Sequence, residues 1–375
     1  MARAALSADA EVLPEADRLE GFAHPRETRA VIGHGDAERI FAEALSSERM
    51  HHAWLITGAA GIGKATLAYR FARAALAREG ERDLFGDALD VAADSSAYRQ
   101  VTALSHPVLL VIRRGYDTKA KRFAQSIAID DVRRLKSFLA MSAEEGGCRV
   151  IIVDSADELN INAANALLKS LEEPPSRTVF LIVSSAPGRL LATIRSRCRM
   201  LPLAPLTADD LRRAVHAALT AASKAEPSPD VWADMERISC GSVRRALTLV
   251  DTGGFALQAR IDKLLASLPK LDMAAAHGLG DELQGAANDA KFVLFGGLLA
   301  DTLARLIRAE ATGQGSAADV SLAHRLIGPA RLASFAELWE TLARERAEVM
   351  QLNLDRKSLI LTSLMRLESA SRTPS

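Results

Sequence analysis

The feature that most restricts this chain is a join between two kinds of segment. Ala53–Ile56 is an unbroken apolar run, and it leads into Thr57-Gly58-Ala-Ala-Gly61-Ile-Gly63-Lys64-Ala65-Thr66. A helical pattern then takes over across Ala65–Arg78. Glycines at this spacing let the backbone curl so that successive N–H groups point inward at phosphate oxygens, and the helix N-terminus and Lys64 add positive charge. The rest of the first half repeats the alternation. Val108–Ile112, Val150–Val153 and Val179–Val183 are continuous apolar runs, the form taken by parallel strands covered on both faces. Helical patterns at Asp131–Met141 and Asn162–Leu171 separate them, and an earlier helix is expected after His34 from the spacing of Ala37, Ile40, Phe41, Ala44 and Leu45. The expected fold is an α/β phosphate-loop module built on a parallel sheet.

After about Pro205 the strand signals stop. Thr207–Ala222, Val231–Ile238 and Ser242–Val250 read as three short helices, the first capped by Thr207 with acidic residues in its first turn. Asp251-Thr-Gly-Gly254 is a break. Beyond it Phe292, Phe295, Leu299, Leu303 and Leu306, and again Phe335, Leu338 and Leu342, form stripes suited to a helix-bundle core. The resulting division is a loose tail over 1–20, the α/β module over 21–205, a small helical lid over 206–253, and an all-α domain over 254–375. Ser369–Ser375 is expected to fray.

Composition removes several function classes. Lys+Arg and Asp+Glu both total 47, so the formal net charge is +0 and bulk positive charge cannot drive nucleic-acid binding. Aromatic residues are only 5%, which disfavours a stacking platform for single strands. Cys148, Cys198 and Cys240 are far apart and form no CxxC pair, so they read as reduced, packed thiols rather than a disulfide framework or a zinc site. The N-terminus carries acidic residues where a signal peptide needs an apolar run, and no stretch approaches the ~18–20 apolar residues of a membrane span. A cytoplasmic protein is expected.

Two defects mark the nucleotide motifs. The pattern G-x-x-x-x-G-K-[ST] needs a hydroxyl after the lysine to ligate Mg²⁺. Ala65 has none, and Thr66 is rotated ~100° further round the helix. The second motif, Arg149-Val-Ile-Ile-Val-Asp154-Ser155, ends a strand in the acid that would hold Mg²⁺. The next residue is Ser155, where ATPases of this architecture place a glutamate to polarise water. Glu158 lies about a helical turn away. Both defects strike hydrolysis, so this chain is not expected to turn over ATP on its own.

Residues 150–175, VIIVDSADELNINAANALLKSLEEPP, with FLIVSSAPGRLLATIRSRCR after them, resemble the clamp-loader branch of the AAA+ proteins, and within it the class with a decayed nucleotide site. The likeness is strong over most of 24–255, and beyond that it rests only on helical texture. It implies an AAA+ module, a lid and a helical collar that assembles with sister subunits. By the same resemblance Gly58, Gly61, Gly63, Lys64, Ala65, Thr66 and Asp154 form the nucleotide-binding positions. Ser184, with Ser185 beside it, stands at the family's first sensor, and Arg244 opens a lid helix and reaches the phosphates. The Arg197 of Ser196-Arg197-Cys198 would act in trans, as a finger on the ATP of a neighbouring subunit. Without the resemblance, Arg195, Arg197 and Arg199 read as a solvated basic cluster; with the site empty, Arg244 would instead be an interdomain salt-bridge partner.

The resemblance further implies a stationary subunit of a hetero-oligomeric loader, with motor and delta subunits as partners. It would meet the sliding clamp and primed DNA through that complex during replication. ATP would bind weakly or not at all at its own loop. Many relatives insert a four-cysteine zinc knob after the first helix; Glu79–His106 has no cysteine, so no zinc is expected. The basic stretch Arg113–Arg122 could approach DNA, but it reads first as an exposed charged loop with no role. The alternative reading is an active AAA+ ATPase, either a motor subunit or another remodeller. A small-molecule P-loop kinase is the weaker rival, since it accounts for neither Ser196-Arg197-Cys198 nor the long helical C-terminal region.

Overall fold

The computed structural model describes residues 13–47, 50–78, 80–82, 89–140, 147–285, 288–352 and 355–372. Packing divides the chain into two compact units, 1–226 with 239–245 and 227–238 with 246–375.

The first unit opens with α1 (Gly35–Ser46), β1 (Ala53–Thr57), α2 (Lys64–Leu76), α3 (Ser96–Thr102) and β2 (Leu109–Ile112). A two-strand hairpin of β3 (Tyr116–Asp117) and β4 (Arg122–Phe123) follows, then α4 (Ile129–Ala140), β5 (Arg149–Val153), α5 (Ile161–Glu172), β6 (Thr178–Ser184), α6 (Ala192–Arg195), β7 (Arg199–Pro202) and α7 (Ala208–Ala221). The main sheet is parallel with strand order β2-β5-β6-β1-β7. Successive side chains feed opposite cores, as period-two strands require. Trp54 and Ile56 pack with Phe41, Leu67 and Phe71 on one face, while Leu55 packs with Leu135, Leu167 and Ile194 on the other.

The four apolar runs are all strands, and the helices expected around 37–45, 65–78, 131–141 and 162–171 are all present. Met141, the last residue expected in one of them, lies outside the described residues. The fifth strand, β7, carried no apolar signal. It is an edge strand on which Arg199, Met200 and Pro202 are exposed, so only Leu201 needs to be apolar.

The expected tail is corrected over part of its length. Residues 1–12 lie outside the described residues, but Glu15 and Asp17 are anchored by Arg26, Arg113 and His24. The C-terminal end is corrected likewise: helix runs to Arg372 with Ser371 buried, and 373–375 lie outside the described residues. The segment 206–253, expected as a lid of its own, is shared between the two units. Within it α7 is capped as expected, Thr207 Oγ1 accepting from Asp210 N at 3.2 Å above an acidic first turn.

The second unit holds α8 (Pro229–Ser239) up to Ile238, most of α9 (Val243–Thr252), and α10 (Gly254–Ser267), α11 (Met273–Leu283), α12 (Asp289–Thr312), α13 (Ala317–Leu326), α14 (Gly328–Leu352) and α15 (Arg356–Arg372). Its core contains Phe292, Phe295, Leu299, Leu303 and Leu306 of α12, with Phe335 and Leu342 of α14. Leu338 packs against them from the edge. No described helix is long and apolar enough to cross a membrane.

Candidate functional site: a self-satisfied phosphate loop and a surface arginine

β5, β6 and β1 are neighbours in the sheet, so the turns at their carboxyl ends meet in the crevice where open α/β sheets bind ligands. The turn after β1 is the phosphate loop. Gly58 (φ +143) and Gly61 (φ +77) have backbone angles that L side chains seldom adopt. A Cβ at Gly58 would also come within 2.5 Å of the Leu203 carbonyl, and one at Gly61 within 2.5 Å of Ser242 Oγ. Gly63 caps α2 in the left-handed conformation, which places Lys64 at the first helical position.

Each carbonyl of this loop already has a partner. Lys64 Nζ donates to Gly58 O at 2.9 Å and Ala59 O at 2.6 Å. Ser242 Oγ donates to Ala60 O at 2.8 Å, and Arg244 N donates to Gly61 O at 3.2 Å. His34 Nε2 lies 2.6 Å from Ile62 O. Among the described residues, no N–H from Ala59 to Gly63 donates to a backbone oxygen. Lys64 is buried, and its third bond goes to Ser185 Oγ at 2.9 Å. Burial pulls its ammonium down to about 8, against the opposing pull of Asp154 and Asp157.

Asp154, at the end of β5, is also buried. Burial, reinforced by Asp17, raises its carboxyl to about 7 despite Lys64 and Arg113 nearby. Ser155 has φ +55 and ψ 52, a left-handed conformation uncommon outside glycine. Glu158 cannot replace the missing glutamate, because its Oε2 is paired with Arg114 Nε at 2.6 Å. The serine of the first sensor position that meets Lys64 is Ser185; Ser184 is fully buried, and its Oγ accepts from Ala186 N at 3.2 Å.

Arg244 lies beside the loop, but its guanidinium is committed elsewhere. Nη1 donates to Asp17 O and Nη2 to Arg18 O, each at 3.0 Å. With Ala65 lacking a hydroxyl, Lys64 held by carbonyls and Arg244 held by peptide oxygens, these residues do not fit a Mg²⁺-nucleotide.

The three arginines near β7 all reach the surface, Arg195 and Arg199 exposed and Arg197 partly so, but each has a different partner. Arg199 stacks on Trp54 with its guanidinium 4.7 Å from the ring centroid, and Arg195 lies against Pro187 O at 3.5 Å. Arg197 sits at the surface with 36% of its side chain exposed. Its Nη2 pairs with Glu172 Oε1 at 2.9 Å, and Nη1 donates to Thr193 O at 3.0 Å. Cys198 packs against the sheet core that holds Leu55 and Ile194, and burial raises its thiol to about 11. Cys148 behaves likewise, whereas Cys240 is exposed, which corrects the reading of all three as packed.

Sequence reasoning missed Glu15, Asp17 and His24, because lone acids and a histidine in an unpatterned stretch carry no motif; Glu172 lay within the quoted motif, but nothing local marked it as the partner of Arg197. It also took Arg113 as part of an exposed loop. Arg113 Nη1 instead binds Asp17 Oδ1 at 2.7 Å, and Nη2 binds Glu15.

A family model described as "DNA polymerase III, delta subunit" matches residues 33–207. The DNA polymerase III subunit delta' of Pseudomonas aeruginosa is 39% identical over 147 residues, covering 39% of this chain and 41% of that protein. The subunit delta' of Escherichia coli is 31% identical over 238 residues, covering 63% of this chain and 66% of that protein. The matches therefore span between two fifths and two thirds of those relatives' own lengths. Among solved structures, a gamma subunit-related protein of DNA polymerase III from Thermotoga maritima aligns with TM-score 0.41 and 19% identity, over 90% of this chain and 99% of that one.

Proposed function

We propose, from the premise that this chain belongs to the delta-prime family of DNA polymerase III clamp-loader subunits, that it is the loader's stationary subunit and lends Arg197 to a neighbour's ATP. The observation that carries this reading is the placement of Arg197. Its guanidinium is half-exposed and anchored by Glu172 on α5 and by the Thr193 carbonyl on α6, which leaves further N–H groups to reach a phosphate. An arginine suits that task because it is always charged and its planar fork can bridge two phosphate oxygens. A finger of this kind is worth ~10³–10⁵ in rate in P-loop enzymes.

In this reading the second unit assembles with motor and delta subunits in the cytoplasm. The complex engages the sliding clamp and primed DNA, and the chain contributes to hydrolysis at a neighbour's site without turning over nucleotide itself. The test is the DNA-stimulated ATPase of a loader reconstituted with Arg197→Ala. A fall of at least tenfold with assembly intact is expected, and an unchanged rate refutes the finger. ATP turnover by the purified chain, abolished by Lys64→Ala, would instead establish the motor reading.

A further inference from the structure

The structure shows what the arginine of the lid helix holds instead of phosphate. Asp17 and Arg18 offer Arg244 two main-chain carbonyls at 3.0 Å, and the same short segment is fixed at three further points within the first unit. Asp17 Oδ1 binds Arg113, which directly follows β2, and its Oδ2 lies 3.0 Å from His24 Nε2. Glu15 takes Arg26 Nη1 at 2.8 Å as well as Arg113. At the far end the Phe22 ring stacks under Lys224, just past α7, with Nζ 4.5 Å from the centroid. The segment thus runs from the carboxyl edge of the sheet, past the start of α9, to the end of α7.

These contacts have two physical consequences. Asp17 is buried and lies close enough to Asp154 to raise that carboxyl, so a second acidic group has been brought to the place where a triphosphate would bring several negative charges. Two of the donors of Arg244 are also satisfied by neutral oxygens of the chain itself. An incoming nucleotide would have to break both of those bonds and separate Asp17 from Arg113 before it gained any bond of its own.

We propose that residues 15–22 are a built-in competitor for the lid-helix arginine: the segment holds Arg244 of the first turn of α9, Arg113 after β2 and Lys224 after α7 with its own oxygens and ring, and so disfavours nucleotide at this subunit. The proposal goes beyond the Arg197 reading and does not depend on it. Its ligand is a segment of this chain, and the groups it holds are Arg244, Arg113 and Lys224.

The test is titration of the purified full chain, and of a Glu15→Ala/Asp17→Ala double variant, with a fluorescent ATP analogue with and without Mg²⁺. Amide hydrogen exchange over residues 13–22 is followed in parallel. The intact chain should show no saturable binding up to about 1 mM, with 13–22 protected and unaffected by the analogue. The double variant should lose that protection and bind at least tenfold more tightly, and Lys64→Ala should remove the gain. Saturable binding by the intact chain with 13–22 still protected would overturn the proposal, and so would a released variant that binds no better. If the double variant does not fold, Arg244→Ala serves instead: it should speed exchange over 13–22 at least tenfold, and unchanged exchange overturns the proposal. Neither readout involves Arg197, so each reading can fail without the other.

Discussion

Replacing Asp154 by asparagine should make this protein more stable, and increasingly so as pH rises. Asp154 ionises near 3.8 in an unfolded chain but at about 7 in the fold, because burial and Asp17 disfavour its charge. The folded state therefore binds more protons than the unfolded state between those values, and it loses stability as pH climbs through the window. At 1.36 kcal/mol per pKa unit the loss amounts to about 4 kcal/mol at pH 8 and about 2 kcal/mol at pH 5. Lys64, at about 8, stays protonated through most of this range and adds little slope. An asparagine at this position would keep the side-chain shape and an acceptor oxygen while removing the titration. The assay is scanning calorimetry of the full chain and the Asp154→Asn variant from pH 5 to pH 8, following the transition of the α/β unit. The gain in Tm should widen by about 4–8 °C across that range, at roughly 2–4 °C per kcal/mol for a unit of this size. A gain independent of pH, or a variant less stable at pH 8, would show that Asp154 is ionised and well solvated in the fold.

The combination Ala65→Ser with Ser155→Glu should leave the purified chain without ATP turnover in a phosphate-release assay, because Arg244 would still be held by the carbonyls of Asp17 and Arg18. Measurable turnover would show that the two motif defects were the only obstacle. Phe292→Ala should destabilise the helical unit by about 3–5 kcal/mol in urea titrations, since its ring is fully buried among the α12 and α14 side chains. Glu172→Ala should change global stability by less than about 1 kcal/mol, as expected for a half-exposed ion pair. In the reconstituted loader its effect should vanish when Arg197→Ala is already present, and additive losses would separate the two residues.

Elements whose burial is complete were legible from local pattern. β1, β5 and β6 are covered on both faces, so their central residues are apolar without a break and the runs stand out, with Thr57, Arg149, Thr178 and Ser184 confined to the strand ends. β7 escaped because an edge strand with one solvated face needs only Leu201 to be apolar. The phosphate loop was equally plain, since Gly58 and Gly61 are fixed by backbone angle and by the close approach of Leu203 and Ser242, constraints that leave glycine in the sequence.

Local pattern was enough for an α/β phosphate-loop module, its damaged metal and water positions, the helical region that follows, and an arginine in a family motif. These follow from side-chain size, periodicity and the presence or absence of single functional groups, which are properties of neighbours along the chain. What those groups touch emerged from the folded chain. Lys64 turns to its own loop, Arg244 grips the peptide of Asp17 and Arg18, and Arg113 leaves its charged stretch to bind Glu15 and Asp17 nearly a hundred residues away. A charge pairs with whatever folding brings within a few ångströms, and sequence separation sets no limit on that choice.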